Sequence, residues 1–491
     1  VRAAVSGVAA LALMLAGCSM EPKYVAPASP VPPSWPIGDA YLRQSEAALP
    51  SVTWRDVFRD PRLQSLIEQA LTNNRDLRIA ASNIAAARAR YRIQRAERFP
   101  EVNAGASATV SDRGSSGSST GGGSGTGNGG GIDTNFSADV GITGFEIDLF
   151  GRVASLTRAE QNLYFASEAA ARATRLALVA DVANAWLAHA ADASLLRIAA
   201  DTAASAERSV RLTRARLEGG VAPRTDLRQA EQILETARAD LAEQRTALAQ
   251  DVNLLQLLVG APIDPALLPG SIEEAAARIA ELPAGIDSTI LLRRPDVLQA
   301  EFELRAANAN IGAARAALFP RISLTGLLGL ASSALTGLFS GGAFSWSAGA
   351  NADYPIFDAG ARRAGVRLSE AQREAAVGGY ERAIQTAFRE VADALARRGT
   401  MGEQIRARTA NRAAAADTYQ LVEARYRGGI ENFLASLDAQ RSLYAADRTL
   451  VATRLTGATN LVELYRALGG DASLQAQPVA TPLPDEPVAG R

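Results

Sequence analysis

The sequence predicts a mainly α-helical protein with a membrane β-sheet, built as a tandem duplication of long coiled-coil helices and four β-strands. Three observations lead there. Residues 152–218 and 224–259 contain neither glycine nor proline, four segments of about ten residues alternate between apolar and polar positions, and motifs of the first half recur in order in the second. Composition agrees: 47% of the 491 residues are hydrophobic but only 5% are aromatic, and alanine is abundant, which favours long helices packed through small side chains over a globular enzyme core.

The same composition narrows function. The net charge is −1 with arginine spread along the chain, so no basic patch marks a nucleic-acid partner. A single cysteine and a single histidine exclude an intramolecular disulfide and any Cys/His zinc centre. His189 lies in an Ala-rich helical run, where a solvated or satisfied imidazole is expected rather than a catalytic base. No paired-acid constellation stands out. Neither enzymatic activity nor a metal is expected, and no cofactor other than a covalent lipid.

From the N-terminus, residues 3–16, AAVSGVAALALMLA, form an apolar run too short to span a bilayer and of the length of a signal-peptide core. Leu15-Ala16-Gly17-Cys18 closes it as a lipoprotein box. Residues 1–17 therefore read as a signal peptide, Cys18 as the lipidation site, and 18–59 as a lipidated extended segment. Ser19 rather than Asp follows Cys18, which by the usual sorting rule directs such a protein to the bacterial outer membrane.

The repeat comes next. Phe99-Pro100-Glu-Val102 recurs as Phe319-Pro320-Arg-Ile322, and Asn74-Arg-Asp-Leu77 aligns with Arg294-Pro-Asp-Val297. Ala215-Arg-Leu-Glu-Gly-Gly-Val221 recurs as Ala424-Arg-Tyr-Arg-Gly-Gly-Ile430, and Gly360 and Gly469 follow Gly151 and Gly260 by the same 209 positions. Repeat one spans 60–262 and repeat two 283–470, with an equatorial connection at 263–282 and a tail at 471–491 expected to be disordered. Each repeat reads helix, strand, loop, strand, very long helix, Gly-Gly turn, long helix.

The strands are expected at about 102–112, 136–148, 321–333 and 344–356. In 102–110, Val102, Ala104, Ala106, Ala108 and Val110 oppose Asn103, Ser107 and Thr109; in 344–354, Phe344, Trp346, Ala348, Ala350 and Tyr354 oppose Ser345, Ser347, Asn351 and Asp353. One apolar and one polar face is the pattern of a membrane β-strand. The segments 136–148 and 321–331 break it once or twice. Between the first two strands, residues 114–131 hold only Gly, Ser, Thr and Asn, where repeat two has a short turn near 335–344. The tract is thus a loop insertion rather than a domain linker. Its matches to a nucleophile elbow (117–121) and a dinucleotide loop (125–130) follow from composition, since ten of its eighteen residues are glycine.

Residues 152–218, if one helix, run about 100 Å at 1.5 Å per residue, which exceeds a globular core and implies coiled-coil packing into a tube. Four strands cannot close a membrane barrel, and an open edge is not tolerated in lipid. The chain must therefore oligomerise: two copies give eight strands and a filled barrel, three give twelve and a lumen.

At this point the sequence resembles the TolC-like outer membrane factor family, in particular its lipoprotein (NodT/OprM-like) branch in tripartite resistance-nodulation-division efflux systems. The resemblance rests on Cys18-Ser-Met-Glu-Pro-Lys-Tyr24, Phe58-Arg-Asp-Pro-Arg-Leu63, Asn74-Arg-Asp-Leu77, Ile147-Asp-Leu-Phe-Gly-Arg152, Leu291-Leu-Arg-Arg-Pro-Asp-Val297, Asn432-Phe-Leu-Ala-Ser-Leu-Asp-Ala-Gln-Arg441 and Leu464-Tyr-Arg-Ala-Leu-Gly-Gly470, in order over roughly 18–470. It implies a homotrimer with a twelve-stranded barrel in outer-membrane lipid and a twelve-helix periplasmic tunnel. It further implies a periplasmic adaptor and an inner-membrane pump as partners, with the helical hairpins of the adaptor received at the tips Gly219, Gly220, Val221 and Gly428, Gly429, Ile430.

Leu434 and Asp438, four apart, share a helix face. The resemblance makes them a periplasmic aperture: an apolar constriction and, one turn on, a ring of carboxylates favouring cations. Gln229 holds the Asp438 position in repeat one. Tyr426 and Asp226 match positions of a latch that holds the aperture shut. Asp226 also suits a helix start, with Thr225 as its cap. Glu431 stands where some relatives have Arg, which would set like charge against Asp226. Two other readings compete with the efflux duct: the duct of a protein-secretion system, and a lipid-anchored coiled-coil structural or adhesive protein, which leaves the four alternating segments unexplained.

Overall fold

The computed structural model of the protein describes residues 19–36, 38, 40–41, 53–112, 132–281, 288–340 and 342–470. Cys18, the tract 114–131 and the tail 471–491 lie outside the described residues. The helices are α1 (Trp54–Val57), α2 (Pro61–Asn73), α3 (Arg75–Ala96), α4 (Arg152–Glu218), α5 (Arg224–Val259), α6 (Ile272–Ala276), α7 (Pro295–Ala316), α8 (Ala361–Arg427) and α9 (Phe433–Ala467). The strands are β1 (Val102–Asp112), β2 (Ile132–Ile147), β3 (Arg321–Ser332) and β4 (Phe344–Asp353).

The duplication is visible in these bounds. α4 and α8 each have 67 residues, and α8 starts and ends 209 positions after α4. α9 starts 209 positions after α5, while α3 and α7 each have 22 residues. Among the described residues no helix is long and apolar enough to cross a membrane.

The chain divides into two compact units. The first comprises Val1–Ala26, Ala86–Tyr164 and Phe302–Gly378. Its centre is one antiparallel sheet in the order β1-β2-β3-β4, so among the described residues β1 and β4 each keep one edge unpaired. Register keeps faces together: Ala104, Val140, Leu328 and Trp346 stand in one row, and Ser107 pairs with Ser137 on the other face through a 2.8 Å hydroxyl contact. Val102, Val110, Val140, Leu328, Phe344 and Trp346 are all exposed on the apolar face. β2 starts at Ile132, earlier than the expected 136, because its ladder with β1 continues to Asp112 opposite Ile132. β4 ends at Asp353, short of 356, because Pro355 has no N–H to donate. The broken alternation of 136–148 is a β-bulge between Ile142 and Phe145, with Gly144 at φ 68°, which returns Phe145 and Ile147 to the apolar face. Below the sheet Phe150 stacks on Phe319 at 4.5 Å. The segment after Cys18 is tied down here too: Arg158 pairs with Glu21 at 2.5 Å and reaches Ser19 at 3.0 Å, and Asn308 donates to the Pro22 carbonyl at 2.8 Å.

The second unit comprises Pro27–Ala85, Phe165–Glu301 and Gly379–Arg491. Asp60 caps α2 by accepting from the Arg62 N–H, with Pro61 in the first helical position. Asn74 caps α3, accepting from Asp76 and Leu77 N–H, while its amide donates to the Leu258 carbonyl at 2.8 Å. At the matching position of repeat two, buried Arg294 donates to the Ala467 carbonyl at 2.7 Å, 209 positions beyond Leu258. Arg294 also grips Asp296 and Glu390 at 2.8 Å each. Trp186 is fully buried and its indole N–H donates to the Leu267 carbonyl at 3.0 Å. His189 is buried, which holds it below its ordinary pKa, but its Nδ1 finds no hydrogen-bond partner among the described residues, so the imidazole is not fully satisfied.

Candidate functional site

The site lies at the reversals of the long helices in the second unit. α4 stops because Gly220 turns left-handed at φ 74°, and α8 because Gly429 does so at φ 76°. Both ends carry the same bonds. Gly220 N–H donates to Leu217 and Val221 N–H to Arg216; Gly429 N–H donates to Tyr426 and Ile430 N–H to Arg425. Val221 and Ile430, the residues beyond each turn, are exposed. α9 is capped by Asn432, whose side chain accepts from the Ala435 N–H at 2.8 Å. α5 is not capped by Thr225: Pro223 holds the cap position with no side-chain bond, and Thr225 is already helical. Asp226 sits half-buried in that first turn, as a carboxylate offsetting the helix macrodipole should.

Beneath the turns an apolar cluster joins Ala206, Val210, Leu227, Leu234, Tyr426 and Phe433 with Leu437. The Tyr426 and Phe433 rings are 5.5 Å apart, and the Arg216 guanidinium stands 4.6 Å over Tyr426. Tyr426 is only 4% exposed, and its hydroxyl has no hydrogen-bond partner among the described residues. Within one chain, then, Tyr426 and Asp226 are not bonded. Glu431 pairs with Arg425 at 3.4 Å, so the acid set opposite Asp226 in the sequence reading has a basic partner on its own hairpin. Glu423 accepts from Ser436 at 2.8 Å and pairs with Arg427 at 2.8 Å, which ties α9 to the end of α8.

The structure separates the faces of α9. Phe433, Ser436 and Leu437 are buried, whereas Leu434 is 55% exposed and Asp438 is exposed one turn on. The two candidate aperture residues therefore project together from the side the cluster does not use. Further along, a polar cleft of about 880 Å³ opens between α4, α8 and α9. Arg412 pairs there with Asp447 at 2.7 Å, and Ser205 shares a 2.9 Å hydrogen bond with Tyr419. Tyr444 donates to Asp240 at 2.8 Å, and burial together with that bond pushes its hydroxyl up to about 12. Sequence reasoning missed Arg216, Glu423, Phe433 and Leu437; the Phe433/Leu437 spacing was the available signal. No cluster of His, Cys, Asp and Glu able to hold a metal ion occurs among the described residues.

A sheet with an exposed apolar face and unpaired outer edges, together with paired long helices reversing at Gly-Gly turns, defines the protomer of an outer-membrane channel. The chain belongs to the outer membrane efflux protein family, whose model matches residues 66–261 and 287–470, one stretch per repeat. It is 46% identical to the antibiotic efflux pump outer membrane protein ArpC of Pseudomonas putida over 464 residues, 94% of each chain. It is 42% identical to the outer membrane protein OprJ of Pseudomonas aeruginosa, covering 94% of this chain and 95% of OprJ. Among solved structures it resembles the open state of the Neisseria gonorrhoeae MtrE outer membrane channel, with a TM-score of 0.79, 34% identity and coverage of 92% and 98%. A CusC crystal structure superposes with a TM-score of 0.80 at 37% identity, covering 92% of this chain and all of that one.

Proposed function

We propose that the protein is the outer-membrane exit duct of a tripartite efflux pump, conducting small molecules passively without enzymatic chemistry. The observation that carries this is the four-stranded sheet, apolar and exposed on one face, polar on the other, with both outer edges open. In lipid those edges must pair with further copies, and three copies make twelve strands around a water-filled lumen. A periplasmic adaptor and an inner-membrane pump supply the cargo. The adaptor docks at the tips Gly219, Gly220, Val221 and Gly428, Gly429, Ile430. Leu434 and Asp438 narrow the periplasmic end, and Tyr426 and Asp226 act in its latch through contacts between protomers. A lipid on Cys18 anchors the chain and is its one covalent attachment. Family membership favours efflux over the secretion-duct and adhesive alternatives.

Reconstitution tests the duct. Purified protein should migrate as a heat-modifiable trimer and open channels in planar bilayers, and cells lacking it should accumulate a fluorescent efflux probe. A monomer without conductance, whose loss leaves accumulation unchanged, would overturn the proposal. Radiolabelled fatty acid should appear in the wild type and not in Cys18→Ala.

A further inference from the structure

One charge on the sheet stands apart. Asp139 lies near the middle of β2, on the polar face with Ser107 and Ser137. Register sets Gly105, Asp139, Gly329 and Ser345 in a single row across the four strands. The glycines keep both flanks clear. A Cβ at Gly105 would come within 3.4 Å of the Asp139 carboxylate, and one at Gly329 within 3.0 Å of the Asp139 Cβ. Among the described residues no hydrogen bond or ion pair engages the carboxylate. Of the other charged residues of the sheet, Glu146 is held by Arg152 at 2.8 Å, Arg321 stands opposite Asp353 at one end of the ladder, and positions 112 and 133 fall at the other end.

An ionised group at mid-membrane depth is tolerated where it faces water, and there it marks a solute path. We infer that Asp139 is a charge-selectivity residue of the barrel, three copies forming a mid-membrane carboxylate ring that favours cationic over anionic solutes. The inference rests on the trimeric-duct reading. Twelve strands 4.8 Å apart and tilted by about 40° close at a radius of about 12 Å, which leaves the carboxylates roughly 8 Å from the axis. That equals about one Debye length at 0.15 M salt, so the ring reaches the whole cross-section. Summing three Coulomb terms at water's dielectric gives roughly threefold cation enrichment at 0.15 M salt and roughly eightfold at 0.01 M.

The test uses the full chain in planar bilayers, in a Leu434→Ala/Asp438→Ala background so that the periplasmic aperture does not set the selectivity. Reversal potentials are read in KCl gradients at high and low salt. Asp139→Asn should lower the cation-to-anion permeability ratio two- to threefold at 0.15 M and more at 0.01 M, and Asp139→Lys should shift the preference toward anions. Asp139→Ser, small and polar, repeats the test if Asp139→Asn does not assemble. An unchanged reversal potential at 0.01 M in a conducting, heat-modifiable trimer overturns the inference and leaves the duct reading standing. Absence of trimer and conductance in the unsubstituted protein overturns both.

Discussion

Removing Leu434 and Asp438 together should open the periplasmic end without unfolding it. Leu434 is 55% exposed and Asp438 lies on the same exposed face, so Leu434→Ala/Asp438→Ala should change stability by less than about 0.5 kcal/mol. The neighbour is the internal control. Leu437, at 4% exposure within the apolar cluster, should cost about 2–5 kcal/mol as Leu437→Ala. Three carboxylates ringing an aperture of roughly 5 Å radius would enrich a monovalent cation on the axis roughly tenfold at physiological salt. The double substitution should therefore raise single-channel conductance severalfold and lower cation preference toward unity. A multivalent cation that blocks the wild type from the periplasmic side should block the variant less well. Single-channel recording beside thermal melting separates the cases. Unchanged conductance and selectivity would refute the aperture, and a destabilisation as large as that of Leu437→Ala would mean the side chains pack in a core.

Four further outcomes follow from the geometry. Burial and the Asp192 carboxylate beside it push Asp251 up to about 7, so the fold favours its protonated form, and the stability this contributes is lost as pH rises from about 4 through 7; Asp251→Asn should raise the melting temperature at pH 8 more than at pH 5. Arg294→Lys cannot reproduce the bonds to Asp296, Glu390 and the Ala467 carbonyl, and melting should report a loss of about 3–5 kcal/mol. At the seam between copies, apolar must meet apolar, so with Cys18 replaced by Ser, Ala106→Cys should form interchain disulfides with one of Ala348→Cys, Ala350→Cys or Ala352→Cys and not with Asn351→Cys, as non-reducing gels would reveal. Because the β1–β2 ladder already closes at Asp112 and Ile132, replacing 113–131 by an Asn-Gly turn should leave heat-modifiable trimers intact.

The two long helices show what made the fold legible. α4 could be read directly, since 152–218 has no glycine or proline and is helical over that whole span. α8 could not. It contains Gly365, Gly378, Gly379, Gly399 and Gly402 and is still one helix of 67 residues, so packing overrides a local penalty of about 1 kcal/mol per glycine. Only the repeat forecast its length. The strand alternation placed all four strands, but a bulge broke it inside β2, and a longer β1–β2 ladder and a missing proline N–H moved two strand ends, none of which is a matter of periodicity.

The tip was legible where one chain completes the chemistry and obscure where it does not. Gly220 and Gly429 satisfy their own helix ends, so Gly-Gly in sequence sufficed. Tyr426 is different: packed beneath Arg216 and beside Phe433, its hydroxyl finds no acceptor among the described residues, and an unmet buried hydroxyl costs about 1–3 kcal/mol. Under the trimeric reading proposed above, that acceptor would come from another copy, which a single chain does not display. The repeat can also hide an equivalence. Asn74 and Arg294 are dissimilar residues, yet each spans from the start of a 22-residue helix to a carbonyl near the end of the last helix of its own repeat. Arg294 does so as a buried cation that also holds Glu390 on α8, a link Asn74 cannot make. The junction of repeat two is therefore clamped by charge where that of repeat one is clamped by a neutral amide, and the loss expected for Arg294→Lys should exceed that for Asn74→Ala.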